Sequence, residues 1–177
     1  MEELVEKAQK GDKEAFTILM LSLEKELYKI ARTRLVNEDD IFDAIQETTI
    51  QAFKSIKKLK HTQYFKTWVI RTLINKSNDI YKEKKHHNII SFDEVISTQT
   101  KNYYTNENLD IKLDFNFICD KLKYEDRLII ILFYMEGFTD CEIGKILGIK
   151  ENTIKTKRTR AKQKIKNILE CGGNYNG

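Results

Sequence analysis

The sequence predicts an all-α protein that consists of two small helical domains joined by a flexible linker. Apolar residues recur every three or four positions over most of the 177 residues, a spacing that places them on one face of a helix. No segment alternates apolar and polar residues as a half-buried strand does, and the chain contains no proline. A long polar stretch, uncommon inside one compact domain, predicts domains at 1–85 and 113–171 with a linker at 86–112.

Four amphipathic helices are predicted in the first domain. Gly11 ends the first helix, and Asp12 caps a second that extends to about Leu35. Asn37 caps a third helix, and the fourth covers Phe65 to Lys84. The apolar positions that we expect in the core of this domain are Leu4, Val5, Ala8, Phe16, Leu19, Met20, Leu23, Leu27, Ile30, Ala31, Ile41, Ile45, Ala52, Phe53, Ile56, Phe65, Trp68, Val69, Leu73 and Ile80.

The second domain is predicted to begin with two helices, Leu113–Leu122 and Tyr124–Glu136. The second of these is apolar on nearly all sides, which predicts that it is buried between its neighbours. Gly137 follows it and ends the helix.

The segment after Gly137 has the features of a helix-turn-helix. Thr139 caps the first helix, and Glu142 three residues later completes a capping box. Gly148 ends that helix, because glycine adopts the left-handed conformation most readily. Gly144 has no side chain where the second helix must cross the first, and Ile154 fills the angle between them.

The second helix of this motif is strongly basic. Residues 150–166 contain eight lysines and arginines and one glutamate, a net charge of +7. A duplex major groove admits one such helix, with phosphates on both sides of it. A solvated basic face on an ordinary helix is the alternative, but the glycine and isoleucine spacing favours DNA binding. The apolar stripe of this helix includes Ile154 and Ala161, and Arg158 interrupts it.

The first domain is predicted to have two faces of opposite charge. Residues 35–56 contain five acidic residues and one lysine, a net charge of −4, so this face is either solvated or binds a basic surface of a partner. Residues 54–85 contain ten basic residues and two acidic ones, a net charge of +8. The polar and aromatic loop at residues 60–64, beside this basic helix, suits stacking and hydrogen bonding of unpaired bases.

Several classes of protein are excluded by the sequence. No run of eighteen apolar residues predicts a membrane span, and the acidic, helical N-terminus is unlike a signal peptide, so we expect a cytoplasmic protein. The three cysteines are far apart and form no metal-binding or disulfide pattern. No phosphate-binding loop, nucleophile elbow or catalytic triad is present. We expect no catalytic, metal or cofactor site.

Two segments of the first domain resemble a known family. Residues 43–50, DAIQETTI, are similar to the D-x-V-Q-E-x-F-L helix of extracytoplasmic-function (ECF) sigma factors, in the bacterial sigma-70 superfamily. Residues 65–69, FKTWV, together with Asn75, Asp79 and Lys82, resemble the F-x-x-W-L…N-x-x-x-D-x-x-R segment of the same family.

The second domain resembles the same family. Residues 122–127, LKYEDR, are similar to its L-P-x-x-x-R motif, and residues 142–144, EIG, stand for E-I-A. Residues 153–157, TIKTK, stand for T-V-K-S-R, and Arg160 and Ala161 follow as R-A. The motifs occur in the order of the family and on both sides of the linker. Many response regulators also contain a helix-turn-helix, but those lack the motifs of the first domain.

The resemblance implies a sigma-2-like four-helix domain that binds core RNA polymerase and recognises and melts the −10 element. It also implies a sigma-4-like domain that recognises the −35 element. The implied partners are the beta′ clamp and the beta flap of polymerase, promoter DNA and an anti-sigma factor, without membrane insertion. The implied polymerase-binding residues are Asp40, Asp43, Gln46, Glu47 and Gln51. The implied −10 residues are Lys60, His61, Gln63, Tyr64, Asn75, Lys76, Asp79 and Lys82, and the −35 residues are Thr153, Lys155, Thr156, Thr159 and Arg160.

Two other functions remain open at this point. A stand-alone helix-turn-helix regulator would bind duplex DNA tightly without polymerase. A nucleic-acid enzyme would need clustered acids for a metal ion, and the only such cluster, Asp39, Asp40, Asp43 and Glu47, lies among the N-terminal residues of one predicted helix.

Overall fold

The computed structural model describes residues 1–87 and 121–172, with side chains for 1–85 and 121–170. These residues form seven α-helices and no strand, which confirms the all-α class. Most of the predicted helix at 113–122 and most of the predicted linker lie outside the described residues. The helices are α1 (Glu2–Gln9), α2 (Lys13–Arg32), α3 (Glu38–Ser55), α4 (Phe65–His87), α5 (Tyr124–Ile130), α6 (Asp140–Leu147) and α7 (Glu151–Gly172). Short 3-10 turns occupy Ile56–Lys58 and Thr62–Tyr64, and a π-helical turn, Ile131–Met135, extends α5.

The helices begin where the sequence predicts, because their caps are local. The Asp12 carboxylate accepts from the Ala15 amide at 3.0 Å, and the Asn37 side chain accepts from the Asp39 amide at 2.7 Å. Each satisfies an amide that has no partner within its own helix. The C-terminal ends of the helices agree less well with the prediction, since α2 ends three residues before the predicted end at Leu35.

Helices α1 to α4 enclose the core of the first module, residues 1–87. The inner stripe of α3 consists of Ile41, Ala44, Thr48 and Ala52, all buried. Thr48 is tolerated there because its hydroxyl donates to the Ala44 carbonyl at 2.7 Å. The prediction that Phe53 lies in the core is wrong. It borders this stripe, is 50% exposed, and contacts Phe16 edge-on at 5.1 Å between ring centroids.

The second module, residues 121–172, is built around the apolar helix α5. Leu128, Ile129, Ile130 and Leu132 are buried, as the sequence predicts for a helix that is apolar on nearly all sides, whereas Tyr134 and Met135 near its end are exposed. Gly137 then reverses the chain with a φ of 71°, in the left-handed region.

The two modules pack against each other, which the sequence does not predict. Helix α4 contacts α6, and one continuous hydrophobic cluster extends from Val5 to Ile154. Ile70 and Ile74 on α4 are buried in this cluster. The described parts of the chain therefore form one closed body, with an interface between the modules.

Candidate nucleic-acid interface

Helix α7 presents one polar face to solvent and one apolar face to the core. Ile154 and Ala161 are fully buried. This orientation exposes, side by side, all five residues expected at the −35 element: Thr153, Lys155, Thr156, Thr159 and Arg160. The arrangement has the geometry of a recognition helix, with side chains free to enter a major groove.

The turn that precedes this helix is fixed by local interactions. The Glu142 carboxylate accepts from the Thr139 amide at 2.8 Å, while the Thr139 hydroxyl accepts from the Glu142 amide, which completes the predicted capping box. The Thr139 amide, followed by its hydroxyl, lowers the pKa of Glu142. Gly148 has a φ of 69°, and a Cβ on Gly144 would lie 2.7 Å from the Ile149 carbonyl oxygen. Both predicted glycine roles are thus confirmed.

Arg158, which interrupts the apolar stripe, forms a bidentate ion pair with Asp140 on α6. Its Nε and one terminal nitrogen each donate to a carboxylate oxygen at 2.8 Å. The guanidinium also lies 3.9 Å from the ring centroid of Phe133. Arg158 lowers the pKa of Asp140, and Asp140 in turn raises the pKa of Arg158. The pair therefore fixes the angle between α6 and α7, which sets where the exposed face points.

Two lysines attach the far side of α7 to α5. Lys157 donates to Glu125 and Lys164 donates to Asp126, each at 2.6 Å. Lys157 therefore already has a partner within the chain. The exposed basic side chains of α7 are those near Arg160.

The polar residues expected at the −10 element lie in two groups. Lys60, His61, Gln63 and Tyr64 are all exposed in and before the 3-10 turn that leads into α4. The rings of His61 and Tyr64 are 6.0 Å apart, and Tyr64 is 40% exposed. This loop therefore offers an aromatic surface next to basic side chains.

The second group lies along α4. The side chains of Asn75, Asp79 and Lys82 share its exposed face. Lys76 differs, because its ammonium pairs with Glu47 on α3 at 2.9 Å, which raises the pKa of Lys76. The structure thus brings three of the four residues on α4 to one solvent-facing strip.

Four of the five residues expected to bind polymerase are exposed on α3: Asp43, Gln46, Glu47 and Gln51. Asp40 is not among them, since it is 8% exposed and pairs with Lys84 of α4 at 2.6 Å. Two apolar residues that the sequence analysis did not select, Phe42 and Ile50, are exposed between these polar groups. The sequence did contain a signal for these two residues, because their positions place them beside Asp43 and Gln46 on the same helix.

Comparison with known families finds a match in each module. Residues 19–87 match the family model for sigma-70 region 2, and residues 118–165 match that for sigma-70 region 4. The sigma-E factor of Haemophilus influenzae, an ECF RNA polymerase sigma factor, is 26% identical over 94% of both chains. SigW of Bacillus subtilis, another ECF sigma factor, is 28% identical over 93% of this chain and 94% of its own. The chain belongs to the ECF sigma factors of the sigma-70 family.

Solved structures of low sequence identity share the fold of this ECF family member. CnrH in complex with the cytosolic domain of CnrY has a TM-score of 0.70 and 21% identity, over 96% of this chain and 97% of that one. The sigma factor RpoE of Bartonella quintana, in complex with the anti-sigma factor NepR, has a TM-score of 0.72 and 22% identity, over 88% and 96%.

Region 2 of the family corresponds to α2, α3 and α4, and region 4 includes the helix-turn-helix. The acidic and basic faces of the first module therefore both belong to region 2. In the described ranges, no helix is long and apolar enough to cross a membrane.

Proposed function

We propose that this ECF sigma factor binds core RNA polymerase and directs it to promoters by recognising −35 and −10 elements. The observation that carries the proposal is the presence, in one chain and in family order, of regions 2 and 4. The charge distribution supports it, because an acidic face on α3 and basic residues on α4 and α7 suit a protein partner and DNA respectively.

Region 4 supplies recognition of the −35 element through the exposed face of α7. Lys155, Thr156, Thr159 and Arg160 contact bases, and Thr153 lies at the start of the same face. An arginine that donates two hydrogen bonds to a guanine contributes about 1–3 kcal/mol of discrimination against other bases.

Region 2 supplies recognition and opening of the −10 element. Opening a base pair costs a few kcal/mol, and stacking of an extruded base on an aromatic side chain returns about 1–3 kcal/mol. Tyr64, with His61 and Gln63 beside it, forms the stacking surface, and Asn75 donates to and accepts from the edge of the base. Lys60 and Lys82 neutralise the adjoining phosphates.

The acidic face of α3 binds the beta′ clamp through Asp43, Gln46, Glu47 and Gln51, while region 4 binds the beta flap. Asp40 has a different role in this proposal, which is to hold α4 against α3 through Lys84. Phe42 and Ile50 add apolar area to the polymerase contact.

The chain itself performs no catalysis in this proposal, since polymerase carries out the chemistry in the cytoplasm. The functional divisions are region 2 at 1–85, a linker at 86–112 and region 4 at 113–171. A sigma factor of the same fold is bound to an anti-sigma factor in the Bartonella complex, and this supports an anti-sigma protein as a further partner.

The test is the binding of the purified chain to core polymerase and to duplex DNA, measured separately. We expect a stable complex with core, and binding to duplex promoters that is strong only when core is present. Tight binding to duplex operators without polymerase, together with no binding to core, would instead favour a stand-alone regulator that uses the exposed face of α7.

A further inference from the structure

The loop before α4, residues 60–64, is anchored to α1 by the side chain of Gln9. The Gln9 amide nitrogen donates to the Ile56 carbonyl at 2.9 Å and to the Leu59 carbonyl at 2.8 Å. A primary amide has two N–H groups, so one side chain satisfies both carbonyls at once. Ile56 caps the end of α3, and Leu59 is the last residue before the loop. Gln9 therefore holds the chain at the point where the loop begins.

The backbone hydrogen bonds of this segment are short-range. The Leu59 amide donates to the Ile56 carbonyl and the Tyr64 amide donates to the His61 carbonyl, each at 3.1 Å. The first bond closes the 3-10 turn that follows α3, and the second closes the 3-10 turn that precedes α4. Each bond shapes its own turn, and neither fixes the direction in which the loop leaves α3.

Helix α1 is itself held firmly enough to act as an anchor. Val5 is fully buried and Ala8 is 5% exposed in the core of the first module. The helix contacts both 3-10 turns, and the Thr62 hydroxyl donates to the Glu2 carboxylate at 3.3 Å. Gln9 is half-buried, and hydrogen bonds shielded in this way are stronger than those in open water.

We infer that Gln9 is a positioning residue for recognition of the −10 element. Through the Ile56 and Leu59 carbonyls it sets where Tyr64 and its neighbours lie when they receive an extruded base, and it touches no base itself. The match to sigma-70 region 2 begins at residue 19, so it assigns no role to α1. The inference rests on the proposed function, because it is the proposed −10 contact that needs a fixed loop.

A fixed loop matters because ordering a flexible one costs free energy. A loop that became ordered only on binding the base would use part of the stacking energy for its own ordering. The two hydrogen bonds from Gln9 order the loop beforehand, so more of the stacking energy is left to offset the opening of a base pair. Loss of these bonds should therefore impair opening at −10 and leave binding to core unchanged.

The test compares four variants of the full chain. Gln9→Ala removes the amide, and Gln9→Glu keeps its shape but replaces the N–H donors with a carboxylate oxygen. Gln9→Lys keeps a donor group that is long enough to reach both carbonyls. Glu6→Ala, at an exposed position on the same helix, is the control. It removes a side chain as long as that of Gln9 and makes the same charge change as Gln9→Lys.

Hydrogen exchange of the free chain reports on the loop directly. We expect the amides of residues 56–64 to exchange about tenfold faster in Gln9→Ala and Gln9→Glu, with exchange in α2 unchanged. Gln9→Lys and Glu6→Ala should resemble the unsubstituted chain. Circular dichroism verifies that each variant keeps its helical content, and Gln9→Glu decides the matter if Gln9→Ala loses it.

Single-round transcription measures the functional effect on a duplex promoter and on one already unpaired at −10. We expect Gln9→Ala and Gln9→Glu to lose about tenfold on the duplex and to recover on the unpaired template, with binding to core unchanged. A general loss of stability would instead lower transcription from both templates equally, so the comparison separates positioning from a purely structural role.

Four results would overturn the inference. Unchanged exchange at residues 56–64 would mean that Gln9 does not fix the loop, and equal losses on the two templates would mean that its role is only structural. Equal defects in Gln9→Lys and Gln9→Glu would mean that the donor is unimportant. Loss of helical content in both Gln9→Ala and Gln9→Glu would mean that Gln9 supports the whole module rather than the loop.

Each of these failures leaves the proposed function intact, because the unsubstituted chain is measured in the same experiments. Failure of that chain to bind core, or to transcribe from the duplex promoter, would contradict the proposed function itself and the positioning role with it.

Discussion

Arg158 combines two roles that are usually given to different side chains. Its guanidinium packs against the Phe133 ring, while Nε and one terminal nitrogen of the same planar group donate to Asp140. Because the pair joins the two helices of the DNA-binding motif, its contribution extends beyond stability to the direction in which α7 points. A lysine could not reproduce the two parallel hydrogen bonds.

Asp140→Asn should destabilise the second module by about 2 kcal/mol at pH 7, since it replaces a charge-assisted bidentate pair that is mostly shielded from solvent. The pKa of Asp140 in the folded chain lies below its ordinary value of 3.8. Its stabilisation is therefore complete above about pH 5 and lost as the pH falls through the folded pKa. Urea unfolding of both proteins between pH 3 and pH 7 measures this difference.

The exposed Asp79→Asn provides the control for that experiment, because it changes the same chemical group on an open helix face. A stability loss for Asp140→Asn that does not shrink as the solution becomes acidic would contradict the ion-pair explanation.

Arg160→Ala should relax the preference for particular bases at the −35 element, because its guanidinium is the strongest donor on the exposed face of α7. Lys162→Ala removes the same charge from the same helix and should weaken all promoters alike, with a salt slope lower by about one. Transcription from a set of −35 variants distinguishes the two effects. Equal losses on every promoter from both substitutions would argue against base contact by Arg160.

At the scale of the elements, helices whose caps and stripes are local in sequence are well predicted. Asp12, Asn37 and Thr139 cap their helices as expected, since each interaction spans only two or three residues. Predictions that depended on distant partners were less accurate. The partner of Arg158 lies 18 residues earlier, and the partner that removes Asp40 from the surface of α3 is on α4.

Helix α3 carries its own prediction. Asp43→Lys should weaken binding to core polymerase by about tenfold or more. Reversing a charge at a docking face weakens binding more than removing that charge does, because the new charge is repelled by the partner. Glu24→Lys on the exposed side of α2 makes the same charge change and should have little effect. Competition binding to core measures both. A similar loss for both variants would indicate that only the overall charge of the chain matters.

The role of the loop before α4 can be tested by comparing promoters whose −10 element is paired or already unpaired. A Gln63/Tyr64/Asn75 triple alanine should transcribe poorly from a duplex promoter but recover on a promoter that is already unpaired at −10, because the cost of opening no longer applies. Single-round transcription on both templates measures the recovery. If the premelted template restores nothing, the loop and Asn75 do not act in opening.

At the scale of the whole molecule, the division into two helical parts is evident from the sequence, but their association is not. Ile70 and Ile74 fit the apolar pattern of α4, yet nothing local indicates that the hydrophobic cluster they belong to continues into the second module. The Arg34 guanidinium packs on the rings of Tyr81 on α4 and Tyr124 on α5, which are separated in sequence by the long polar segment. Packing between residues so far apart in sequence can be predicted only when it is known which surfaces of the two modules meet.

The most direct measurement adds the purified chain to core RNA polymerase on a genomic template and maps the starts of the resulting transcripts. We expect the starts to lie downstream of one shared pair of sequence elements, about two and a half helical turns apart. Starts that do not depend on the added chain, or that share no upstream pair, would contradict the account.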